Sequence, residues 1–316
     1  MIQKNTLLLK TIFQLFKKEV HMNKNSCWQY VKKQIALKED LKMFPYSSLE
    51  LNNISFDDVI FEYIDSSDKS NCIRVKKFIE RYEWLEKMPS RPTHRFIAKY
   101  KDIVIGVIVM ATPYTFSNII GRNNKHLEKL IARGATISWA PKNTGSWLIM
   151  KSIQWMVQHT EFRVFSGYSD IEANELGTIY QACNFIYLGQ NSGGRFEFID
   201  PKTNKKMSDR VFRRVGSYKK YARDLGISWD KSWSEKWKMN WDQVPNEIIT
   251  ALKLKSKEHE QSCIKISVPK KHKYILIKGR DNRETKFLKS LFKKNNPKLI
   301  QSNGNLGLRY PKMRGV

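Results

Sequence analysis

Apolar positions in the middle of the chain follow two periodicities, one typical of strands and one typical of helices. Residues 94–113 contain two runs rich in β-branched residues on either side of Lys101–Asp102, which predicts a hairpin. Residues 135–141 and 162–170 read as two further strands, and the apolar spacing across 145–160 predicts a long helix between them. The pattern therefore predicts an α/β fold of the α+β type, with a mixed central sheet flanked by helices.

The periodicity changes again within residues 175–189. Ile179 and Tyr180 lie in a helix-like run that stops at Asn184, and residues 185–188 resume as a strand. We expect a short helix that packs one face on the sheet and leads into an edge strand.

The chain divides by composition into three predicted parts. Residues 1–75 form a partly flexible N-terminal helix and strands, residues 76–225 a main domain, and residues 226–316 a small basic α/β module that is expected to bind nucleic acid. Within this module, helical spacing at 246–261 and 283–295 flanks a strand-like run, so we expect a folded appendage and not a tail.

Four tryptophans recur every four residues between positions 229 and 241. This spacing predicts a helix with Trp229, Trp233, Trp237 and Trp241 on one face. Such a stripe is usually buried against the rest of the protein, and the alternative is a surface on which bases stack.

Charge points to a polyanionic partner. The chain has 57 Lys and Arg against 30 Asp and Glu, a net charge of +27, and residues 251–316 alone carry 18 against 4. DNA is the leading partner and RNA the second. The candidate nucleic-acid-binding residues are Arg195, Arg210, Arg213, Arg214, Lys219, Lys220, Lys270, Lys271 and Lys273. Tyr218 and Tyr221 lie among them and could stack on bases, although a solvated basic helix face would have the same composition.

Membrane and metal chemistry are not expected. The longest apolar run near the N-terminus is Leu7–Leu9, too short for a signal sequence or a membrane span, and the spacing across 8–16 predicts a short amphipathic helix. The four cysteines are far apart, with no C-x-x-C pair, so the sequence indicates neither a disulfide framework nor a metal site. A reducing cytoplasm fits this composition. The oligomeric state is not predicted.

A loop between a predicted strand and the long helix has the character of an anion site. Its residues are Lys142, Asn143, Thr144, Gly145 and Ser146. A helix N-terminus presents free N–H groups and a positive dipole end, and a glycine allows close approach of a phosphate. Many such loops only cap a helix, which is the alternative interpretation.

The order of these elements resembles the GNAT acyltransferase superfamily. In that superfamily a loop of the type [QR]-x-x-G-x-[GA] holds the pyrophosphate of coenzyme A, and a Tyr in a later L-Y-x-x-x-G-F pattern acts as a general acid. Residues 142–147 and 179–185 occupy these two places, with Trp147 where the loop pattern has a small residue. The resemblance implies acyl-CoA as a possible donor and Tyr180 as the acid.

Residues 166–189, SGYSDIEANELGTIYQACNFIYLG, resemble more specifically the Mom family of phage DNA-modification proteins. The similarity extends over about 76–200. It implies a GNAT-like fold that installs a carbamoylmethyl group on N6 of adenine in DNA. Gly167 stands where that family has Ser, and Glu83–Trp84 stand in place of an expected His–Tyr pair.

The resemblance and the strand ends together select the candidate catalytic residues Asp170, Tyr180, Tyr168 and Glu83. Three of them have a structural alternative: Asp170 as a helix cap, Tyr180 as a buried hydrogen-bonded side chain, and Glu83 as a solvated helix residue. The expected function is a transferase that adds a small acyl or glycinamide-type group to adenine N6 in DNA. The alternatives are a non-catalytic nucleic-acid-binding protein on the same scaffold, and an acyltransferase acting on RNA or protein amines.

Overall fold

The structure is a computed structural model that describes residues 26–43, 53–191, 196–268 and 270–312. These residues form two compact units. The larger, called here the sheet unit, contains the described residues of 26–191 and 271–312, and the smaller, called the insert unit, contains the described residues of 196–270. The predicted amphipathic helix at 8–16 and the candidate Arg195 lie outside the described residues.

The secondary structure of the described residues alternates strands and helices along the chain. The helices are α1 (Trp28–Met43), α2 (Lys69–Tyr82), α3 (Thr144–His159), α4 (Thr178–Ala182), α5 (Val215–Asp224), α6 (Asn246–Ser262) and α7 (Asn282–Asn295). The strands are β1 (Val59–Ile64), β2 (Pro92–Tyr100), β3 (Ile103–Ala111), β4 (Glu128–Thr136), β5 (Val164–Asp170), β6 (Ile186–Asn191), β7 (Phe196–Asp200), β8 (Lys205–Ser208), β9 (Ser234–Glu235), β10 (Lys238–Met239), β11 (Ile264–Ser267) and β12 (Lys271–Ile277).

A seven-stranded sheet organises the sheet unit in the order β1-β2-β3-β4-β5-β12-β6. Neighbouring strands are antiparallel except β4 and β5, which are parallel. The β2–β3 hairpin turns at Lys101, whose φ of 51° is left-handed. The mixed sheet flanked by helices confirms the predicted fold class.

The core forms where the apolar periodicity predicted it. β3 is a nearly continuous buried run, and Leu148, Ile149 and Ile153 of α3 are buried at the same core as Phe96. On a second cluster, Leu288 and Phe292 of α7 pack with Ile275, Ile277 and other apolar residues. The sheet is therefore covered by apolar helix faces whose positions were visible in the sequence.

The predicted strand at 135–141 is misplaced, because β4 runs from Glu128 to Thr136 and the chain then turns. Ile137 and Trp139 are both buried, so the alternation was read correctly. The backbone leaves the strand nonetheless, with the amide of Ala140 donating to the carbonyl of Ile137 over 3.2 Å.

The units do not follow the predicted divisions at 75/76 and 225/226. Helix α2 runs across the first division, and β12, placed by the sequence in a separate C-terminal module, lies between β5 and β6 in the main sheet. Tyr274 and Ile275 of β12 are fully buried there. Asn191 at the end of β6 pairs with Lys271 at the start of β12. The insert unit is therefore a long insertion between two paired neighbouring strands.

The insert unit contains a three-stranded sheet, β11-β7-β8, and helices α5 and α6. Its tryptophan segment is not the predicted helix but two short 3-10 turns around the β9–β10 hairpin, with Lys236 in a left-handed conformation at the turn. Trp233 is buried and Trp229 and Trp241 are partly buried beside it, so three of the four pack into the core of the insert unit. Trp237 is 84% exposed. The regular spacing is produced by a hairpin whose turn directs Trp237 outward.

Candidate active site

A gap opens in the sheet between β4 and β5. Their parallel pairing covers only Glu128↔Val164 to Leu130↔Ser166, although both strands continue beyond it. The register of β4 on β3 shifts at the same level, so that Ala132 is an extra, bulged residue. In a mixed α/β sheet, a crevice at the carboxyl ends of parallel strands is where ligands usually bind.

Helix α4 holds Tyr180 over this gap. The helix is five residues long and lies between two left-handed residues, Gly177 with φ 67° and Asn184 with φ 56°. The amide of Phe185 donates to the carbonyl of Tyr180 over 3.0 Å, which ends the helix at Asn184 and starts the next strand. The Tyr180 ring stacks on Tyr274 with centroids 5.4 Å apart.

Gly167 lies directly beneath the Tyr180 ring. A Cβ atom at Gly167 would be 2.8 Å from the Tyr180 hydroxyl oxygen. Gly167 follows Ser166, the last β5 residue paired with β4, so this hydroxyl lies at the opening of the gap. Gly167 stands where the family that the sequence resembles has Ser. In this structure a side chain at 167 would collide with the Tyr180 ring.

Tyr180 remains protonated over a wide pH range. Burial raises its pKa well above the usual range, and the negative charges of Glu175 and Glu83 raise it further, while Arg133 opposes them. A protonated phenol in this place can donate a proton to a leaving group.

Glu83 is buried, not solvated, which excludes the solvated alternative. It follows the last turn of α2, is 6% exposed, and its Oε2 accepts a hydrogen bond from the amide of Leu85 over 3.0 Å. Burial raises its pKa to about 7, although Arg133, whose Nε lies 3.8 Å from Oε2, acts in the opposite direction. A carboxyl with a pKa near neutrality is suited to proton transfer.

Glu175 is a site residue that the sequence reasoning did not select. Its Oε2 accepts a hydrogen bond from the amide of Asp170 over 3.2 Å, and Trp84 also donates to its carboxylate. Burial raises the pKa of Glu175, and its charge in turn raises the pKa of Glu83. Its signal in the sequence was only its place at the start of the 175–189 stretch.

Asp170 is occupied by structural interactions. Its Oδ1 accepts from the amide of Glu172 over 3.1 Å and caps a 3-10 turn, while its Oδ2 lies 2.7 Å from the Lys271 ammonium. This confirms the capping geometry. Tyr168 alternates with Gly167 along β5, so it projects from the opposite face to Tyr180 and lies under the Lys273 ammonium at 5.4 Å. The structure does not bring Tyr168 to Tyr180.

The predicted anion loop lies at the start of α3, close to α4. Asn143 adopts φ 69° at the N-cap, Lys142 is exposed, and Thr144 is buried with its hydroxyl donating to the carbonyl of Pro141 over 2.7 Å. A Cβ at Gly145 would lie 2.9 Å from the Ile179 side chain, so the loop and the Tyr180 helix are in contact.

Trp147 does not fill this loop. Its ring stacks on Phe56 at 5.4 Å and meets Phe61 edge-on. Lys33 of α1, which the sequence did not select, donates to Thr136 Oγ1 over 3.2 Å, and the Thr136 methyl lies 3.8 Å from a Cβ at Gly145. Burial lowers the pKa of Lys33. Lys142 and Lys33 thus supply two cations near the start of α3.

Ser169 supplies a further polar atom near α4. It is 4% exposed, and its hydroxyl has no hydrogen-bond partner within the described part of the chain. It lies 3.0 Å from a Cβ at Gly177, on the face of β5 that carries Gly167. An unpartnered buried hydroxyl at this place is available to a ligand.

The candidate nucleic-acid residues separate into two groups. Six of the candidates are exposed side chains of the insert unit, namely Arg210, Arg213, Arg214, Lys219, Lys220 and Lys270. Lys271 is bound to Asp170, and Lys273 is 5% exposed inside the sheet unit. Tyr218 and Tyr221 are buried in the insert core, so the prediction that they stack on bases is wrong.

Among the described residues, no cluster of three or more His, Cys, Asp and Glu side chains is arranged to hold a metal ion. In the same residues no helix has the length and apolar character needed to cross a bilayer.

The family model of the Mom protein family matches residues 66–298, which contain Glu83, Glu175, Tyr180 and the whole of α7. The chain belongs to the Mom protein family. This confirms the resemblance that residues 166–189 indicated, and the split between β4 and β5 followed by the Tyr180 helix agrees with the GNAT-type fold expected of it. None of the curated proteins compared with the chain matches it.

Solved structures similar to this Mom-family chain include proteins assigned as acetyltransferases. A Bacillus subtilis acetyltransferase in complex with CoA is 11% identical with a TM-score of 0.32, covering 69% of this chain and 98% of its own. A Pyrococcus horikoshii protein assigned as an acetyltransferase is 12% identical with a TM-score of 0.34, covering 77% and 96%.

Proposed function

We propose that this member of the Mom family is a transferase that adds a small acyl or carbamoylmethyl group to the exocyclic N6 amine of adenine in DNA. The observation that carries the proposal is the protonated Tyr180 hydroxyl at the β4–β5 gap, beside two carboxyls, Glu83 and Glu175, whose pKa values are raised. Paired groups with shifted pKa values in a cleft are typical of acid–base catalysis.

The reaction needs one base and one acid. The amine nitrogen forms a bond to the transferred carbon, the bond from that carbon to its leaving group breaks, and the amine proton leaves. Glu83 is suited to accept this proton because its pKa of about 7 lies near neutral pH. Tyr180 is suited to give its proton to the leaving group.

Glu175 and Asp170 act through other residues in this proposal. Glu175 raises the pKa of Glu83 by its charge and holds Trp84, and it receives the amide of Asp170. Asp170 fixes the turn after β5 by capping it and by pairing with Lys271. Both are positioning residues.

The loop at the start of α3 is suited to hold the donor. The first-turn amides, the exposed Lys142 and the half-buried Lys33 lie near the start of α3, where Gly145 lets this helix approach Ile179 of α4 closely. A thioester of coenzyme A would supply an activated acyl carbon and a thiolate leaving group there. The amine of adenine is inside the stack in duplex DNA, so the base must be flipped or single-stranded.

Mass spectrometry of nucleosides from DNA co-expressed with the chain tests the proposal. We expect a new adenine-derived nucleoside with the wild type, and a loss of about 10²–10⁴-fold in its rate of formation with Tyr180→Phe. The matched control is Tyr187→Phe, which removes another buried hydroxyl whose ring also contacts Tyr274, at 5.0 Å.

Unmodified DNA under every donor condition would overturn the proposal. Modified RNA or modified protein amines with unmodified DNA would assign the same chemistry to another acceptor. Equal activity of the Tyr180→Phe and Tyr187→Phe variants would remove Tyr180 from the mechanism.

A further inference from the structure

The sheet unit contains a basic groove whose charged residues were not among the candidate nucleic-acid-binding residues. It has a volume of about 920 Å³ and lies between α7 and residues 301–312; we call it the α7 groove. Its charged lining residues are Lys286, Lys289, Lys293, Arg309 and Lys312, and no Asp or Glu is among its described lining residues.

The helical pattern of α7 builds one wall. Leu288 and Phe292 are buried at the core, while Lys286, Lys289 and Lys293 lie in the groove at spacings of three and four residues. At a rise of about 1.5 Å per residue, the three ammonium groups are distributed over roughly 10 Å of helix. This wall presents a row of cations and not a single charged point.

The segment after α7 forms the opposite wall and is fixed to the sheet. The Tyr310 hydroxyl donates to the carbonyl of Phe185 over 2.7 Å, and the amide of Leu308 donates to the carbonyl of Tyr187 over 2.8 Å. These bonds hold Arg309, which lies between Leu308 and Tyr310, opposite the α7 lysines. The groove therefore exists before any ligand binds.

The cations of the α7 groove are uncompensated within the protein. None of the five forms an ion pair with a carboxylate in the described residues, whereas Arg213, in the smaller basic pocket of the insert unit, pairs with Glu260 at 3.2 Å. Five like charges around one concave space repel one another, and an anion with repeated charges relieves this repulsion.

From this arrangement we infer that the α7 groove binds the phosphate backbone of the DNA strand that carries the target base. The choice of DNA rests on the proposed function. A row of cations over roughly 10 Å matches successive phosphates better than a single anion, and a concave site does not fit a flat bilayer surface. The side-chain amide of Asn184, a neutral donor in the lining, is also suited to phosphate oxygens.

The groove also lies next to the candidate active site. Asn184 lines the groove and lies two residues after the end of helix α4, which carries Tyr180. Phe185, which accepts the Tyr310 hydrogen bond, packs against Tyr180 at a centroid distance of 5.2 Å. A strand in the groove therefore passes near the reacting groups.

Two matched triple variants of the full chain test the inference. The groove variant is Lys286→Gln/Lys289→Gln/Lys293→Gln. The control is Arg283→Gln/Lys294→Gln/Lys298→Gln, which removes the same charge from exposed positions outside the groove lining. Fluorescence anisotropy with a short labelled DNA duplex between about 50 and 200 mM salt gives affinity and its salt dependence.

We expect the groove variant to lower the slope of log K against log salt by about 2.7, at roughly 0.9 per lost phosphate contact, and the control to change it by less than about 1. Equal affinity and slope for the two variants, or no binding of the duplex by the wild type, would overturn the inference. A groove variant that loses binding to anionic vesicles or to RNA, but binds DNA as the wild type does, would also overturn the inference.

The outcome is separable from that of the proposed function. Loss of DNA affinity in the groove variant, together with unmodified nucleosides in the wild type, would support the groove and reject the enzyme. Modified nucleosides from a groove variant that binds DNA with wild-type affinity would support the enzyme and reject the groove as the DNA-binding site. Far-ultraviolet circular dichroism of both variants verifies that each is folded.

Discussion

A Cβ atom on Gly167 would lie 2.5 Å from Cζ of Tyr180. Real Cβ atoms do not approach a ring carbon so closely, so the Tyr180 ring can occupy its place only above a glycine. The glycine in strand β5 thus allows helix α4 to place the Tyr180 ring directly against the strand. The Tyr180 hydroxyl then lies where the β4–β5 pairing ends.

The Gly167→Ala substitution is expected to displace the Tyr180 ring. We predict a destabilisation of about 1–3 kcal/mol, typical of overpacking, and a loss of transferase activity. Urea unfolding and nucleoside analysis measure the two effects. Gly216→Ala is the control, because nothing lies within 4 Å of a Cβ there. Wild-type stability and activity in Gly167→Ala would contradict the contact.

The Glu83→Gln substitution is expected to change the pH dependence of stability. Because the folded-state pKa of about 7 exceeds the ordinary 4.5, the protonated Glu83 contributes stability below about pH 4.5, and this contribution is lost as pH rises through about 7. Relative to the wild type, the free energy of unfolding of Glu83→Gln should rise between pH 5 and 8, by on the order of 1–3 kcal/mol.

Urea titrations at several pH values measure this difference. The control is Glu80→Gln, which changes an exposed carboxyl on the same helix α2. Parallel stability profiles for wild type and Glu83→Gln would show that the raised pKa is wrong.

The Glu175→Gln substitution is expected to shift the pH–rate profile. Activity that depends on ionised Glu83 should rise with pH through about 7. Since the charge of Glu175 raises that pKa, its removal should move the midpoint to lower pH, by up to about one unit. The control is the exposed neighbour Glu172→Gln. A midpoint that stays in place, or moves to higher pH, would show that Glu175 does not raise the pKa of Glu83.

The Gly145→Val substitution is expected to abolish donor binding without unfolding the sheet. A Cβ at Gly145 would lie 2.9 Å from the flexible end of Ile179, so the valine side chain should push the start of α3 away from α4 and distort the anion loop. Calorimetry with coenzyme A measures binding, and Met150→Val, at an exposed position of the same helix, is the control. Unchanged binding by Gly145→Val would place the donor elsewhere.

Replacement of residues 192–270 by an Asn-Gly turn is expected to leave the sheet unit folded. Asn191 and Lys271 are paired neighbours on β6 and β12, and an Asn-Gly turn suits such a hairpin. A chain that ends at Lys270 loses β12 from between β5 and β6 and should not fold. Cooperative thermal unfolding monitored by circular dichroism distinguishes the two variants. A folded chain without β12 would contradict the sheet order.

Much of the fold was predictable because it depends on local patterns. The apolar spacing that sets α3, α6 and α7 is complete within each segment, and so is the β2–β3 hairpin. The helix predicted for the tryptophan segment was wrong because that prediction also used local spacing alone. Such spacing does not distinguish a helix from a short hairpin with turns at both ends.

The candidate site was only partly predictable. Tyr180 was found through its motif, but the burial of Glu83 and the contribution of Glu175 depend on segments that meet only in the folded chain. The sequence placed Asp170 at the end of a strand, as the structure has it. Its carboxylate, however, pairs with Lys271 and caps the following turn, and these contacts depend on the folded chain.

The sequence by itself determined most of the helices and strands, the short helix around Tyr180 and the large positive charge, because periodicity and turn residues act over a few positions and charge follows from composition. Only the tertiary structure decided that β12 joins the main sheet, that Lys273 is buried and that the α7 lysines face Arg309 across a groove. The reason is that strand pairing, desolvation and charge repulsion depend on which distant residues become neighbours, and local pattern does not encode those distances.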